Sequence, residues 1–196
     1  KEYYPAQYEE MKKFIESGRW HISGASWDAT DTLVPSIESA IRNIMLGQDY
    51  YRKEFGVEST DIFLPDCFGF GWTLPAIASH CGLIGFSSQK LQWRNKPFYG
   101  NDKYPFTVGL WQGIDGSTIM MTHGYDYNQR FEDGDLSENK DLLELTGHSP
   151  LHMVYRYYGT GDIGGSPTLE SVRAVEKGLQ GNGPLQIVSA TSDRIY

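Results

Sequence analysis

The sequence predicts an α/β fold: part of a barrel of strand–helix units, with a mostly parallel sheet and its first strand missing. Three observations predict it. Short apolar runs alternate with amphipathic stretches, the pattern of strands covered by helices. Acidic or glycine-rich turns follow several apolar runs, where parallel α/β folds keep their working residues. The chain opens on a helix and closes just after a strand, whereas a complete barrel of such units begins with a strand and ends with a helix. The expectation is therefore a piece of something larger.

The elements follow in order. Residues 8–17 have helical spacing, with Met11, Phe14 and Ile15 on one face and Gly18 as the stop. Residues 20–25 read as a strand that enters the loop Trp27-Asp28-Ala29-Thr30-Asp31. Residues 36–55 give the clearest helix, since Ile37, Ile41, Ile44, Met45 and Tyr51 recur at spacings that stack on one face, and Gly56 ends it. Residues 61–66 follow as a short buried strand whose last residue is acidic. A helix over 74–81, closed by Gly82, leads to an apolar strand over 83–88. Residues 108–111 and 118–122 are strands around the turn Asp115-Gly116. A short helix is expected over 141–146, a strand over 153–158, a helix over 168–179 and a final strand over 185–189. No internal repeat, low-complexity segment or linker interrupts the chain, so residues 1–196 read as one partial domain.

Composition narrows the function. The chain has 196 residues, 39% apolar and 21% charged, which suits a folded globular protein rather than a disordered one. A net charge of −8 argues against nucleic acid or an anionic membrane as partner, because both need a basic surface. There is no apolar stretch long enough to span a bilayer, and the chain does not open on a signal-peptide pattern; the compartment is not legible. The 13 Tyr, 9 Phe and 5 Trp suit sugar platforms as well as cores. Cys67 and Cys81 form neither a disulfide framework nor a zinc pattern, and read as small apolar residues in or near the core.

Asp66 is the focal residue. It ends an apolar strand and precedes Cys67-Phe68-Gly69-Phe70-Gly71, whose glycines let the backbone bend sharply. A carboxylate there serves as nucleophile, metal ligand or general base, or else as the N-cap of the following helix; spacing alone supports both readings. Asp162 is the one acid in the loop over 159–168, which carries four glycines and also follows an apolar run. That loop lacks the Lys-Ser/Thr ending of a phosphate loop. Two acids at strand ends fit a glycosidase, which sets a nucleophile and a proton donor across one glycosidic bond. Trp27 follows the first strand, Lys90 and Trp93 follow the strand over 83–88, and His123 and Tyr127 follow the strand over 118–122. Each group mixes aromatic with hydrogen-bonding side chains, as sugar sites do. Packing under a loop is the competing reading for Trp27 and Trp93, and a structural hydrogen bond for His123.

Taken in order, these segments resemble the catalytic domain of glycoside hydrolase family 38 α-mannosidases. The resemblance rests on Gly18-Arg19-Trp20, Pro35-Ser36-Ile37-Glu38-Ser39, Leu64-Pro65-Asp66-Cys67-Phe68-Gly69, Gln89-Lys90-Leu91-Gln92-Trp93, Gly113-Ile114-Asp115-Gly116-Ser117 and the glycine-rich loop. It implies a seven-stranded barrel and a zinc-dependent retaining enzyme that removes terminal α-mannosyl residues from mannose-containing oligosaccharides through a covalent aspartyl-glycosyl intermediate. It implies that Asp66 both binds the zinc and attacks the sugar, that Asp162 is the acid/base or its close neighbour, and that Trp27, Lys90, Trp93, His123 and Tyr127 contact the sugar. Two departures stand out: Ile163 and Ser166 replace glycines of the family's loop, and Asp28-Ala29-Thr30 differ from its usual residues; both bear on substrate preference. The family's other zinc ligands lie outside this stretch, so the sequence reads as an internal fragment, inactive by itself. The competing functions are a polysaccharide deacetylase-like enzyme, for which the paired histidines are missing, and a non-catalytic sugar-binding or structural domain on a decayed barrel.

Overall fold

The structure is a computed structural model that describes residues 1–90, 108–123, 130–149, 151–161 and 164–196, without the side chain of His123. The chain forms two compact units, residues 1–87, 110–121 and 191–196 in one and residues 88–109 and 122–190 in the other.

The first unit opens with α1 (Pro5–Glu16), whose proline sits in the first turn, where a missing N–H costs no helical bond. Helix α1 buries Ile15. Helix α2 (Ile37–Phe55) starts where the Ser36 hydroxyl accepts from the Ser39 N–H at 3.2 Å. Glu38 in its first turn and Arg52 and Lys53 in its last suit the helix dipole, and Gly56 closes it by donating to the Arg52 carbonyl at 3.1 Å. The buried face of α2 differs from the apolar stripe expected from spacing. It buries Ile44, Gly47 and Gln48, while Ile37 and Met45 are more than half exposed. Gly47 explains the shift. A Cβ there would collide with the Ala25 carbonyl oxygen, so the helix backbone lies directly on residues 25–27. The Trp27 N–H reaches the Asn43 carbonyl at 2.9 Å across the same contact.

The sheet has four strands in the order β1-β2-β4-β3: β1 (Asp61–Phe63), β2 (Gly85–Ser88), β3 (Val108–Gln112) and β4 (Thr118–His123). Strands β1 and β2 run parallel, with Asp61 opposite Gly85 and Phe63 opposite Ser87, and α3 (Leu74–His80) makes the crossover between them. The sheet is mixed, which corrects the expectation of a mostly parallel sheet for the described residues; four of the expected barrel's seven strands are seen there as a sheet. Residues 113–117 alone join β3 to β4, with Gly113 N–H donating to Ser117 O at 2.8 Å. A connection that short makes a hairpin, since a parallel pair needs a crossover of about a dozen residues. Phe86 and Ile119 are buried in the sheet, and Phe70 and Trp111 set their rings edge-on to Phe86 at 4.9 and 5.2 Å.

Three expected strands are not strands. Residues 20–25 run beside β1 and join it at Asp61, where Ala25 N–H donates to its carbonyl at 2.8 Å and Gly24 N–H and Ser23 Oγ donate to its carboxylate at 3.1 and 2.8 Å. Gly24 has φ +78°, which takes the chain out of the extended conformation and ends any ladder there. Residues 153–158 follow His152, itself at φ 49°, and form no ladder among the described residues. Residues 185–189 deliver Leu185 to a core through one bond, Leu185 N–H to Ser137 O at 3.1 Å.

That core belongs to the second unit. Leu136, Leu142, Ala174 and Leu185 are buried together, with Phe131, Val175 and Ile187 against them. Helix α4 (Lys140–His148) is capped by Asn139 and α5 (Leu169–Gln180) by Thr168, each side chain accepting from a backbone N–H of the first turn. Both cysteines are free and half-buried, and burial pushes the Cys81 thiol up. No helix among the described residues is long and apolar enough to cross a membrane.

Candidate active-site loop

Two aspartates bracket the first strand, and their surroundings differ. Asp61 starts β1 and is fully buried. Its carboxylate accepts from Ser23 Oγ at 2.8 Å, from Ser59 Oγ at 2.9 Å and from the Gly24 N–H at 3.1 Å. A buried carboxylate that accepts several hydrogen bonds holds structure together. Asp66 lies beyond the other end of β1, in the turn after Leu64-Pro65, and it is exposed. Helix α3 begins at Leu74 with Thr73 at its N-cap position, so Asp66 is not that helix's cap. The capping reading therefore drops out for α3, and the carboxylate stands at the strand's carboxyl side, where α/β folds place chemistry.

Three connected features hold the turn bearing Asp66. Leu64 N–H donates to Ser87 O at 3.0 Å, which fixes the strand just before the turn. Thr32 Oγ1 donates to the Gly69 carbonyl at 2.6 Å, which ties the turn to the loop after residue 25. The Cys67 thiol faces the carbonyls of Thr30 at 3.5 Å and Gly69 at 3.6 Å. The partner loop is itself built firmly. Asn43 of α2 holds Asp28 through both its backbone N–H at 3.1 Å and its carbonyl at 2.9 Å. Asp31 Oδ1 accepts from the N–H groups of Leu33 at 2.7 Å and Val34 at 3.1 Å. A cavity of about 40 Å³ lies beneath, lined by Asp31, Thr32, Ile44, Leu64 and Leu74 among others. That is room for water and far below the several hundred Å³ that a sugar-sized ligand fills.

Trp27 is 59% exposed, with its ring edge-on to Tyr50 at 5.3 Å, so it packs on one side and offers the other. Lys90 follows β2 and is half-buried, and its backbone N–H donates to Ser88 Oγ at 3.3 Å. The backbone of His123 closes β4. Asp162, Trp93, Tyr127 and the His123 side chain lie outside what the structure describes. Thr32 and Asp61 were not singled out from the sequence. Asp61 stands in an apolar strand, where an acid must find partners, and that signal was readable; Thr32 works only through a distant loop and left no local sign.

Among the described residues, no group of three or more His, Cys, Asp or Glu side chains is arranged to hold a metal ion. Asp66 is the one carboxylate that the family resemblance assigns to zinc, and a catalytic zinc normally takes three protein ligands. The described residues therefore do not by themselves fit a zinc centre.

The relatives of this chain identify its family. The description "Glycosyl hydrolases family 38 N-terminal domain" matches residues 1–193. "Alpha-mannosidase G" of Dictyostelium discoideum is 37% identical over 179 residues, which are 88% of this chain and 15% of that protein. "Alpha-mannosidase" of Saccharomyces cerevisiae is 31% identical over 190 residues, 93% of this chain and 17% of that protein. The chain thus spans less than a fifth of the length of these relatives. The crystal structure of 4-alpha-glucanotransferase from Thermococcus litoralis matches 99% of this chain and 29% of that one, with a TM-score of 0.61 at 14% identity, a likeness of fold alone. With nearly every residue matched and relatives above 30% identity, this chain belongs to the glycosyl hydrolases family 38 N-terminal domain family.

Proposed function

We propose that this chain forms part of the catalytic domain of a retaining α-mannosidase acting on terminal α-mannosyl residues of oligosaccharides. The observation that carries the reading is the exposed Asp66 carboxylate on the turn past β1, held by a braced loop, in a chain of family 38. The names of the relatives supply the sugar.

In this reading, Asp66 attacks the anomeric carbon while Asp162 protonates the departing oxygen. The glycosidic bond breaks as a C1–O bond to Asp66 forms. Asp162 then takes a proton from water, which attacks C1, releases Asp66 and gives mannose with the original configuration. Trp27, Trp93 and Tyr127 offer ring faces to the sugar, and Lys90 and His123 offer hydrogen bonds to its hydroxyls. A zinc ion would be held by Asp66 together with ligands from outside the described residues, and would supply a Lewis acid for the sugar hydroxyls. Proton NMR of the first-formed sugar tests the reaction. Initial α-mannose supports retention, and initial β-mannose contradicts it.

A further inference from the structure

We infer that Thr32 is a positioning residue for the carboxylate of Asp66, acting through the carbonyl of Gly69; this rests on the catalytic reading of Asp66 given above. The Thr32 hydroxyl donates to Gly69 O at 2.6 Å, a short bond between two loops far apart in sequence. Gly69 also lies close under the neighbour of Thr32: a Cβ on it would come within 2.5 Å of Leu33 Cδ1, so the exposed Leu33 side chain would have to swing aside. The Cys67 thiol, next to Asp66, reaches the Thr30 carbonyl at 3.5 Å and lies 4.0 Å from the Thr32 hydroxyl. The turn on the carboxyl side of Asp66 is therefore held at two points, Cys67 and Gly69, by one strap, residues 30–33.

The strap is anchored independently of the turn it holds. Asp31 spends its Oδ1 on the Leu33 and Val34 amides, and Asn43 grips Asp28 from α2. The line of support runs from helix α2 through Asn43 and the strap to Gly69, and from there to the turn that begins at Asp66. An attacking carboxylate must sit within a fraction of an ångström of its line of attack, and a misplacement of about 1 Å can cost 10²-fold in rate. A carboxylate on an exposed turn keeps that precision when the turn itself is fixed.

The test uses two variants of the full-length protein that carries this chain. Thr32→Val keeps the shape and removes the donor; Thr32→Ser keeps the donor. Hydrogen–deuterium exchange of residues 66–71 is followed beside steady-state kinetics on an aryl α-mannoside. Thr32→Val is expected to speed exchange in 66–71 by about 10-fold, through loss of one hydrogen bond. It is expected to lower kcat by about 10- to 100-fold with KM nearly unchanged. Thr32→Ser restores both. Unchanged exchange in Thr32→Val overturns the inference, as does a loss of kcat that Thr32→Ser does not recover. A wild-type protein that turns over no mannoside sinks the mannosidase reading instead, and the exchange measurement alone then decides whether the strap holds the turn.

Discussion

The Ser23 hydroxyl donates to Asp61 Oδ2 at 2.8 Å, and this bond joins a segment that is not a strand to the strand that leads to Asp66. Asp61 is fully buried, as is its partner Ser59, while Gly24, whose N–H also donates to the carboxylate, is half-buried. Asp61→Ala would leave these donors unpaired, at a cost of about 2–4 kcal/mol. Urea unfolding of the variant should show the midpoint falling accordingly, and a change below about 0.5 kcal/mol, the scale of a neutral surface substitution, would remove Asp61 from the framework.

The same corner should weaken in alkali. Tyr51 donates to the Gly24 carbonyl at 3.0 Å, and burial first, then the charge of Asp61, push its phenol above the ordinary value of 10.0. A phenol whose value is raised on folding favours the folded state while it keeps its proton. Its contribution is whole below pH 10.0 and is lost as pH rises through the raised value. Tyr51→Phe removes the bond at a cost of about 1 kcal/mol at neutral pH. It should also flatten the decline in melting temperature above pH 10, and an unchanged alkaline decline would place the titrating group elsewhere.

Gly47→Ala reverses the usual gain from replacing a helical glycine. In an open helix the change stabilises by about 1 kcal/mol. Here the new methyl meets the Ala25 carbonyl oxygen, which is backbone and cannot swing aside. A net loss of about 2–3 kcal/mol is expected from such overpacking, measured as a lowered thermal midpoint; a raised midpoint would mean that α2 does not lie against residues 25–27.

Helix ends were legible in the sequence because they are local. Ser36 and Gly56 frame α2, and Thr168 starts α5, through bonds to residues three or four positions away. Strands were less legible because a strand exists only with a partner. The apolar runs over 20–25 and 185–189 bury one residue each, Ala25 and Leu185, without completing a ladder. The strands β3 and β4 were legible around Asp115-Gly116, because a short turn of that kind joins antiparallel neighbours. At the site, Asp66 was legible because it ends an apolar run beside glycines. Its distinction from Asp61, five positions earlier, was not, since burial depends on Ser23 and Ser59 folding onto one carboxylate and not the other. The hold of Thr32 on Gly69 was illegible for the same reason.

Exposure separates Asp66 from these structural groups in a simple comparison. Asp66→Asn should leave thermal stability within about 0.5 kcal/mol, as substitutions at exposed positions usually do. Removing a nucleophile should nevertheless lower turnover by several orders of magnitude. Asp162→Ala should also slow turnover but respond to the leaving group, with activated aryl mannosides losing less than unactivated ones, since they need less proton donation. Equal losses on both substrates would argue against an acid role for Asp162.

The most direct measurement is to trap the covalent intermediate. A fluorinated mannosyl fluoride that glycosylates the enzyme quickly and is released slowly should label the full-length protein that carries this chain, and peptide mass spectrometry should find the added sugar on Asp66. A sugar on any other carboxylate, or turnover with no covalent adduct and β-mannose as the first product, would contradict Asp66 as the nucleophile of a retaining α-mannosidase.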